Sequence, residues 1–295
     1  MVRVNRVGRP ILLASTKNQC TNALGIDVLK PLNCSTLATH APNREIYVFI
    51  HAVQSDILAP VLVDVLLSLE SAGLLAISRR VEICLSGASL LGINEMLAGF
   101  KSHVKSERLK VIHVSKDPLA FEIPTINRVL RTARMLASET TDAHILYVHT
   151  KGLFSTSAAF VPKWFWRKTM EYWLVEQHVR CRSMLEYGYD AVGINAMRGH
   201  LKRTRQAGVG GNMVHYSGNF WWASARHLAR LSEIDISHRR VKTVERFKAE
   251  NLVLSALPNM CAGVLFNWGF THMYNAREVP DFDAMRRTTA SCDVL

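Results

Sequence analysis

The chain has 295 residues, of which 48% are hydrophobic and 20% charged, with a net charge of +12. This is an ordinary soluble globular composition, long enough for one large or two smaller domains, with no transmembrane segment, internal repeat or low-complexity tract. The positive balance favours anionic partners (nucleotides, phosphates, nucleic acid or an acidic membrane surface) without choosing among them.

The first 43 residues are polar, with Asn, Thr and Pro spread through them, and read as a partly disordered extension. Arg3, Arg6 and Arg9 precede Ile11-Leu12-Leu13-Ala14, an apolar run too short for a secretory signal. The ordered domain is expected to begin with the strand Ile46–His51. A helix over about 59–76 follows. Its stretch from Ile57 to Ile77 contains Pro60, Asp64 and Glu70, so it reads as core-packed rather than membrane-spanning. Strands over Val81–Gly87 and Leu109–Val114 flank a helix over about 90–100. An amphipathic helix with Ile126, Val129, Leu130, Ala133 and Leu136 on one face has Pro124 in its first turn. The apolar run ending in Tyr147-Val148-His149 is the fourth strand, and the strongest: it stops abruptly in His149-Thr150-Lys151-Gly152. Four strand–helix alternations predict an α/β fold with a mostly parallel sheet, in which residues 145–148 are central.

The second half is expected to hold a long aromatic helix over Trp164–Tyr187, a short strand at Ala191–Ile194 and a basic, glycine-rich loop over 196–213. The segment His215–Trp222, a helix near Arg226–Leu231, a helix over about 243–257 and a loose tail after Pro280 follow. The six cysteines have no CxxC or finger spacing, which argues against zinc and favours a reducing, cytoplasmic setting, with Cys84 a buried thiol.

His149, Thr150, Lys151 and Gly152 would lie at the carboxyl end of a strand, where open α/β sheets bind ligands. A fixed ammonium, two hydrogen-bonding side chains and a glycine turn suit an anion. They equally describe a strand exit with a solvated lysine. Asp281-Phe282-Asp283, the chain's one Asp-x-Asp, stands in a proline-led tail away from any strand end.

Several stretches in order resemble one family. They are Glu122-Ile123-Pro124-Thr125, Tyr147-Val148-His149-Thr150-Lys151-Gly152, Trp166-Arg167, Tyr189-Asp190-Ala191-Val192-Gly193, Tyr216-Ser217-Gly218-Asn219-Phe220-Trp221-Trp222, and Arg246 with Glu250. Together, over about residues 45–275, they are similar to a glycosyltransferase-like family of GT-A architecture, with members in bacterial polysaccharide clusters, algae and large DNA viruses. The resemblance implies a single Rossmann-like domain over 45–278, with a donor-binding half (45–152) and an acceptor-binding half (153–278), between an extension over 1–44 and a tail over 279–295. It implies transfer of a sugar, hexosyl or deoxyhexosyl, from a nucleotide-sugar donor to a glycan or other hydroxyl acceptor.

On that reading Glu122, Thr125, His149, Thr150, Lys151 and Gly152 bind the donor, with Lys151 as the diphosphate cation. Ser217, Gly218, Asn219, Trp221 and Trp222 meet the acceptor. The loop at 198–211 closes as a lid, and Glu250 is the general base, with Asp190 second to it. Better-known GT-A enzymes place Asp-x-Asp after the fourth strand to hold a divalent metal. Here that position reads His149-Thr150-Lys151, so Mn²⁺ or Mg²⁺ dependence stays open and His149 is the one ligand candidate. Each residue also has a plainer role: Glu122 as a helix-start carboxylate, Glu250 as a partner of Arg246 at i,i+4, Asp190 as a turn residue. A non-catalytic protein of the same fold is one alternative. A basic nucleic-acid binder, suggested by Lys163-Trp164-Phe165-Trp166-Arg167-Lys168, is weaker, because no nucleic-acid motif accompanies it.

Overall fold

The computed structural model describes residues 44–53, 58–87, 97, 108–117, 120–139, 141–150, 157–198, 214–235, 248–256 and 260–265. The expected extension over 1–43, most of the helix over 90–100, the loop from 199 to 213 and the tail lie outside them.

Seven strands form one sheet, in the order β3-β2-β1-β4-β8-β5-β9. β1 (Glu45–Val53), β2 (Arg80–Ser86), β3 (Leu109–Ser115) and β4 (Ala143–His149) are mutually parallel. β8 (Trp221–Ser224) runs antiparallel between β4 and β5 (Ala191–Gly193), and β9 (Ala262–Val264) runs parallel to β5. A two-stranded ribbon pairs β6 (Ala196–Arg198) with β7 (Val214–Tyr216). This is an α/β, Rossmann-like fold with a mostly parallel central sheet. β4 lies inside it, and every residue of β4 is buried. Near-continuous apolar runs such as Ile145-Leu146-Tyr147-Val148 are what a strand covered on both faces requires.

Alternation along the strands sorts side chains into two layers. Ile46, Val48, Ile50, Leu146, Val148 and Trp222 pack on helices α1 (Leu58–Ser71) and α2 (Leu74–Ile77) and on the aromatic helix. Tyr47, Phe49, Ile145, Tyr147 and Trp221 pack on helix α3 (Ile123–Ser138) and on the turns near Val253. The helix expected over 59–76 is two helices, because Gly73 adopts φ 75° between them, a left-handed conformation cheap only for glycine.

The helix expected over Trp164–Tyr187 also differs. It begins earlier, as α4 (Ser157–Glu171), widens into a π segment (Tyr172–Glu176) and resumes as α5 (His178–Glu186). The helix is covered on all sides here: every residue from Thr169 through Val175 is buried, in the last α-helical turn as well as in the π segment. The wide turn of the π segment turns carbonyls toward side-chain donors. Trp222 Nε1–H donates to Leu174 O at 2.6 Å, and the His178 ring to Val175 O at 3.1 Å. Of the helix expected over 243–257, residues 248–251 are helical and Leu252–Leu254 tighten into a 3₁₀ turn. The short helix α6 (Ala225–Ala229) is capped by the Ser224 hydroxyl, which accepts from His227 N–H.

Cys84 and Cys181 are free and buried, as expected of Cys84. Cys261, however, is disulfide-bonded, which a reducing compartment does not favour. No helix among the described residues is long and apolar enough to cross a membrane.

Candidate active site

The chain leaves β1 through β2 and β3 on one side, then returns to place β4 on β1's other side. Neighbouring strands whose connections depart in opposite directions leave a crevice outside their carboxyl ends. His51 of β1 and His149 of β4 are register partners at that edge. Both stand on the face covered by α3. Just beyond β4, Thr150 N–H donates to His51 O at 2.9 Å, closing the strand end onto β1.

His51 is 2% exposed, and its Nδ1 lies 2.8 Å from the Thr125 hydroxyl in the first turn of α3. Its Nε2 is buried without a hydrogen-bond partner. Burial, with the nearby His149 adding to it and Glu122 opposing it, lowers the His51 pKa to about 4.

Glu122 is the hub of the cluster. It stands at the N-cap of α3 with helical φ and caps no amide with its side chain. The carboxylate instead accepts from the Tyr147 hydroxyl at 3.1 Å and from the Asn219 amide. Asn219 Oδ1 in turn accepts from Trp221 Nε1–H at 3.0 Å, which fixes the orientation of the amide. The Tyr147 ring stacks on Trp221 with centroids 5.1 Å apart. Burial and then the charge of Glu122 raise the Tyr147 pKa well above its ordinary value, and Glu250 contributes in the same direction. Tyr147 therefore remains a phenol and a donor. Glu122 keeps 12% side-chain exposure and lies 3.8 Å from His149 Nε2.

The Ser217-Gly218-Asn219 turn closes the cluster. Gly218 (φ 91°) and Asn219 (φ 55°) are both left-handed. Their turn presents the Gly218 carbonyl to His149 Nε2–H at 2.7 Å. Phe220 meets the His149 ring edge-on at 5.0 Å. A Cβ on Gly218 would overlap the Met170 sulfur, so this glycine serves close packing against α4.

The residues named from sequence thus separate. Glu122, Thr125, His149, Thr150, Gly218 and Asn219 come together at the carboxyl ends of β1 and β4. Trp221 and Trp222 point to opposite faces of β8, as alternation requires, but both are buried, at 2% and 0%. Neither presents an open face for a sugar. Ser217 is 7% exposed, and its N–H donates to Asn195 O. Glu250 lies in the helical turn over 248–251, close enough for its charge to act on Tyr147. The Asp190 carboxylate is committed elsewhere: it accepts Cys261 N–H at 2.9 Å and Arg230 at 3.2 Å, tying β5 to β9 and to the end of α6. Lys151, Gly152, Arg246 and the expected lid from 199 onward lie outside the described residues.

His51 and Tyr147 belong to the cluster without having been named for it. The available signal was symmetry between strands: Ile46–His51 ends in histidine just as Ile145–His149 does. As for a metal, His149 Nε2 is engaged by the Gly218 carbonyl, and the described residues contain no group of three His, Cys, Asp or Glu arranged to hold one.

No family model matches the chain, and no curated protein matches it. A crystal structure of 4-diphosphocytidyl-2C-methyl-D-erythritol synthase is similar at 13% identity, covering 85% of this chain and 100% of that one, with a TM-score of 0.34.

The buried histidines make stability acid-sensitive. His51 is neutral in the fold, with a pKa near 4, and takes up a proton at about 6.5 when unfolded. Its contribution is complete above pH 6.5 and is lost as pH falls toward 4. His144, lowered to about 3, acts in the same direction. The expected slope is at most about 1.4 kcal/mol per pH unit for each histidine. Melting temperature should therefore drop between pH 6.5 and 4.5, with a shallower drop in His51→Gln. A flat profile in the parent chain would contradict this account.

Proposed function

We propose that the chain is a glycosyltransferase that moves a sugar from a nucleotide-sugar donor to a glycan or other hydroxyl acceptor. One observation carries the reading. Three of the stretches that resemble the GT-A-like family converge on the crevice between β1 and β4. Glu122 and Thr125 come from the first, Tyr147, His149 and Thr150 from the second, and Gly218 and Asn219 from the third.

Donor binding in this crevice uses Glu122 as an acceptor for nucleoside hydroxyl or base N–H groups. The Tyr147 and Asn219 donors hold that carboxylate in place. Lys151, with Thr150 and backbone N–H groups after β4, neutralises the diphosphate. During transfer the anomeric carbon–oxygen bond to the diphosphate breaks and a bond to the acceptor oxygen forms. In an inverting reaction the acceptor hydroxyl proton passes to the Glu250 carboxylate. Asp190 is second to Glu250 for that task, because using it would mean surrendering its bonds to Cys261 and Arg230. Ser217 and Trp221 reach an acceptor only if the turn over 217–219 opens, whereas Trp222, on the opposite face and bonded to Leu174 O, and Gly218 and Asn219 support the site.

A thermal-shift screen with UDP-, GDP-, dTDP- and CMP-sugars, with and without Mn²⁺, tests donor binding and metal dependence together. A ligand that binds only the folded chain raises its melting temperature. No stabilisation by any donor would sink the proposal, and binding without transfer to any acceptor would favour a non-catalytic protein. Lys151→Ala is expected to weaken binding of the preferred nucleoside diphosphate at least tenfold while sparing the nucleoside. Equal losses for both ligands would remove Lys151 from the phosphate site.

A further inference from the structure

The amino-terminal edge of the sheet carries a second polar cluster. His144 is the second residue of β4, fully buried, on the face that packs against the aromatic helix. Arg44 Nη1–H lies 3.5 Å from His144 Nε2 and acts as its donor, which leaves the ring proton on Nδ1. That Nδ1–H is buried and unpartnered, as are the Nε–H groups of Arg44 and of Arg182 on α5. All three orphans are donors, and no acceptor meets them. Buried donors are rarely left unmade, because each costs about 1–3 kcal/mol.

The charge is equally one-sided. Asp142, the carboxylate that pairs here, binds Arg44 at 2.7 Å and Arg226 at 3.2 Å. Among the described residues the Arg182 side chain meets no ion-pair or hydrogen-bond partner; it is half-buried on α5, and its Nε is closed off from solvent. Helix α5 packs on β8, and Ser224 of β8 is the register partner of His144, which sets Arg182 near the amino-terminal end of β4; its charge acts on both His144 and His178.

We propose that His144, Arg44 and Arg182 form a binding site for a phosphate dianion at the amino-terminal edge of the sheet. Phosphate supplies the acceptors these donors lack, and its charge offsets the arginine excess. It docks on the Arg182 guanidinium, and the Nε–H groups of Arg182 and Arg44 and the His144 Nδ1–H are the donors for its oxygens. His144 and His149 are five residues apart on one strand, about 17 Å at the usual rise, so one phosphate cannot serve both ends. The site is therefore independent of the proposed donor crevice.

Inorganic phosphate titrated into the full chain, read by melting temperature, tests this. A rise that grows with the logarithm of phosphate concentration and reaches about 3–5 °C at ten times the Kd is expected. Arg182→Met should abolish the rise while its melting temperature in phosphate-free buffer stays close to the parent's, since the guanidinium has no partner to lose. Arg182→Lys, which keeps the charge without the fork, should weaken binding about tenfold. Lys151→Ala should leave the rise intact. Absence of a rise, a rise unchanged in both Arg182 variants, or a rise abolished by Lys151→Ala instead would overturn the proposal.

Discussion

Glu250→Gln is expected to slow glycosyl transfer about 10²- to 10⁴-fold while leaving the fold and donor binding intact. That is the usual worth of a positioned general base, and the amide is nearly isosteric with the acid. Glu250 follows the Tyr216–Trp222 segment, and its charge acts on Tyr147, whose hydroxyl is bonded to Glu122. The carboxylate therefore bears on the same cluster that holds the proposed donor. The competing account makes it one half of a surface pair with Arg246, which forecasts a stability loss of at most about 1 kcal/mol and unchanged turnover. Transfer rates at saturating donor, measured beside the variant's melting temperature, separate the two. Near-normal turnover would dismiss Glu250 and make Asp190 the residue to test.

Glu122→Ala is expected to be the most destabilising change in the crevice. It strips the acceptor from the Tyr147 hydroxyl and from the Asn219 amide, and Asn219 in turn holds Trp221. Two stranded donors at about 1–3 kcal/mol each suggest a loss of about 3 kcal/mol, or roughly 6–12 °C in melting temperature for a chain of this size. Glu122→Gln keeps an acceptor oxygen and should lose less than half as much. A carboxylate that merely favoured a helix start would contribute at most about 1 kcal/mol, and both variants would then behave alike. Unfolding curves for the pair decide between these accounts. If donor binding is also measured, Glu122→Gln should weaken the nucleoside as much as the nucleotide, the reverse of Lys151→Ala.

Much of the architecture was legible along the chain. Runs such as Ile46–Ile50 and Ile145–Val148 are apolar on both faces, a pattern that only a covered strand tolerates, and the 3.6-residue spacing of Ile126, Val129, Leu130 and Ala133 marked α3. The abrupt stop at His149-Thr150 marked a strand's carboxyl end, and the fold made it the edge where β1 meets β4. The aromatic helix was readable as helical but not in its detail. The π segment has no local signature in Tyr172–Glu176; its widened turn matches the Leu174 carbonyl to Trp222, 48 residues away.

The roles of individual residues divide in the same way. Hydropathy and spacing by themselves determined the α/β class, the central position of β4 and which strand ends carry polar side chains, because these depend on neighbours within a turn or a strand. Only the tertiary structure decided that Glu122 serves Tyr147 and Asn219 instead of its own helix, that both indoles are buried, and that His51 joins His149. The deciding contacts link residues 97, 69 and 74 positions apart, in Asn219–Glu122, His149–Gly218 and His51–Thr125. Periodicity records which face of an element is buried, whereas the partner of a buried polar group is chosen by whichever distant element the packing brings within about 3 Å.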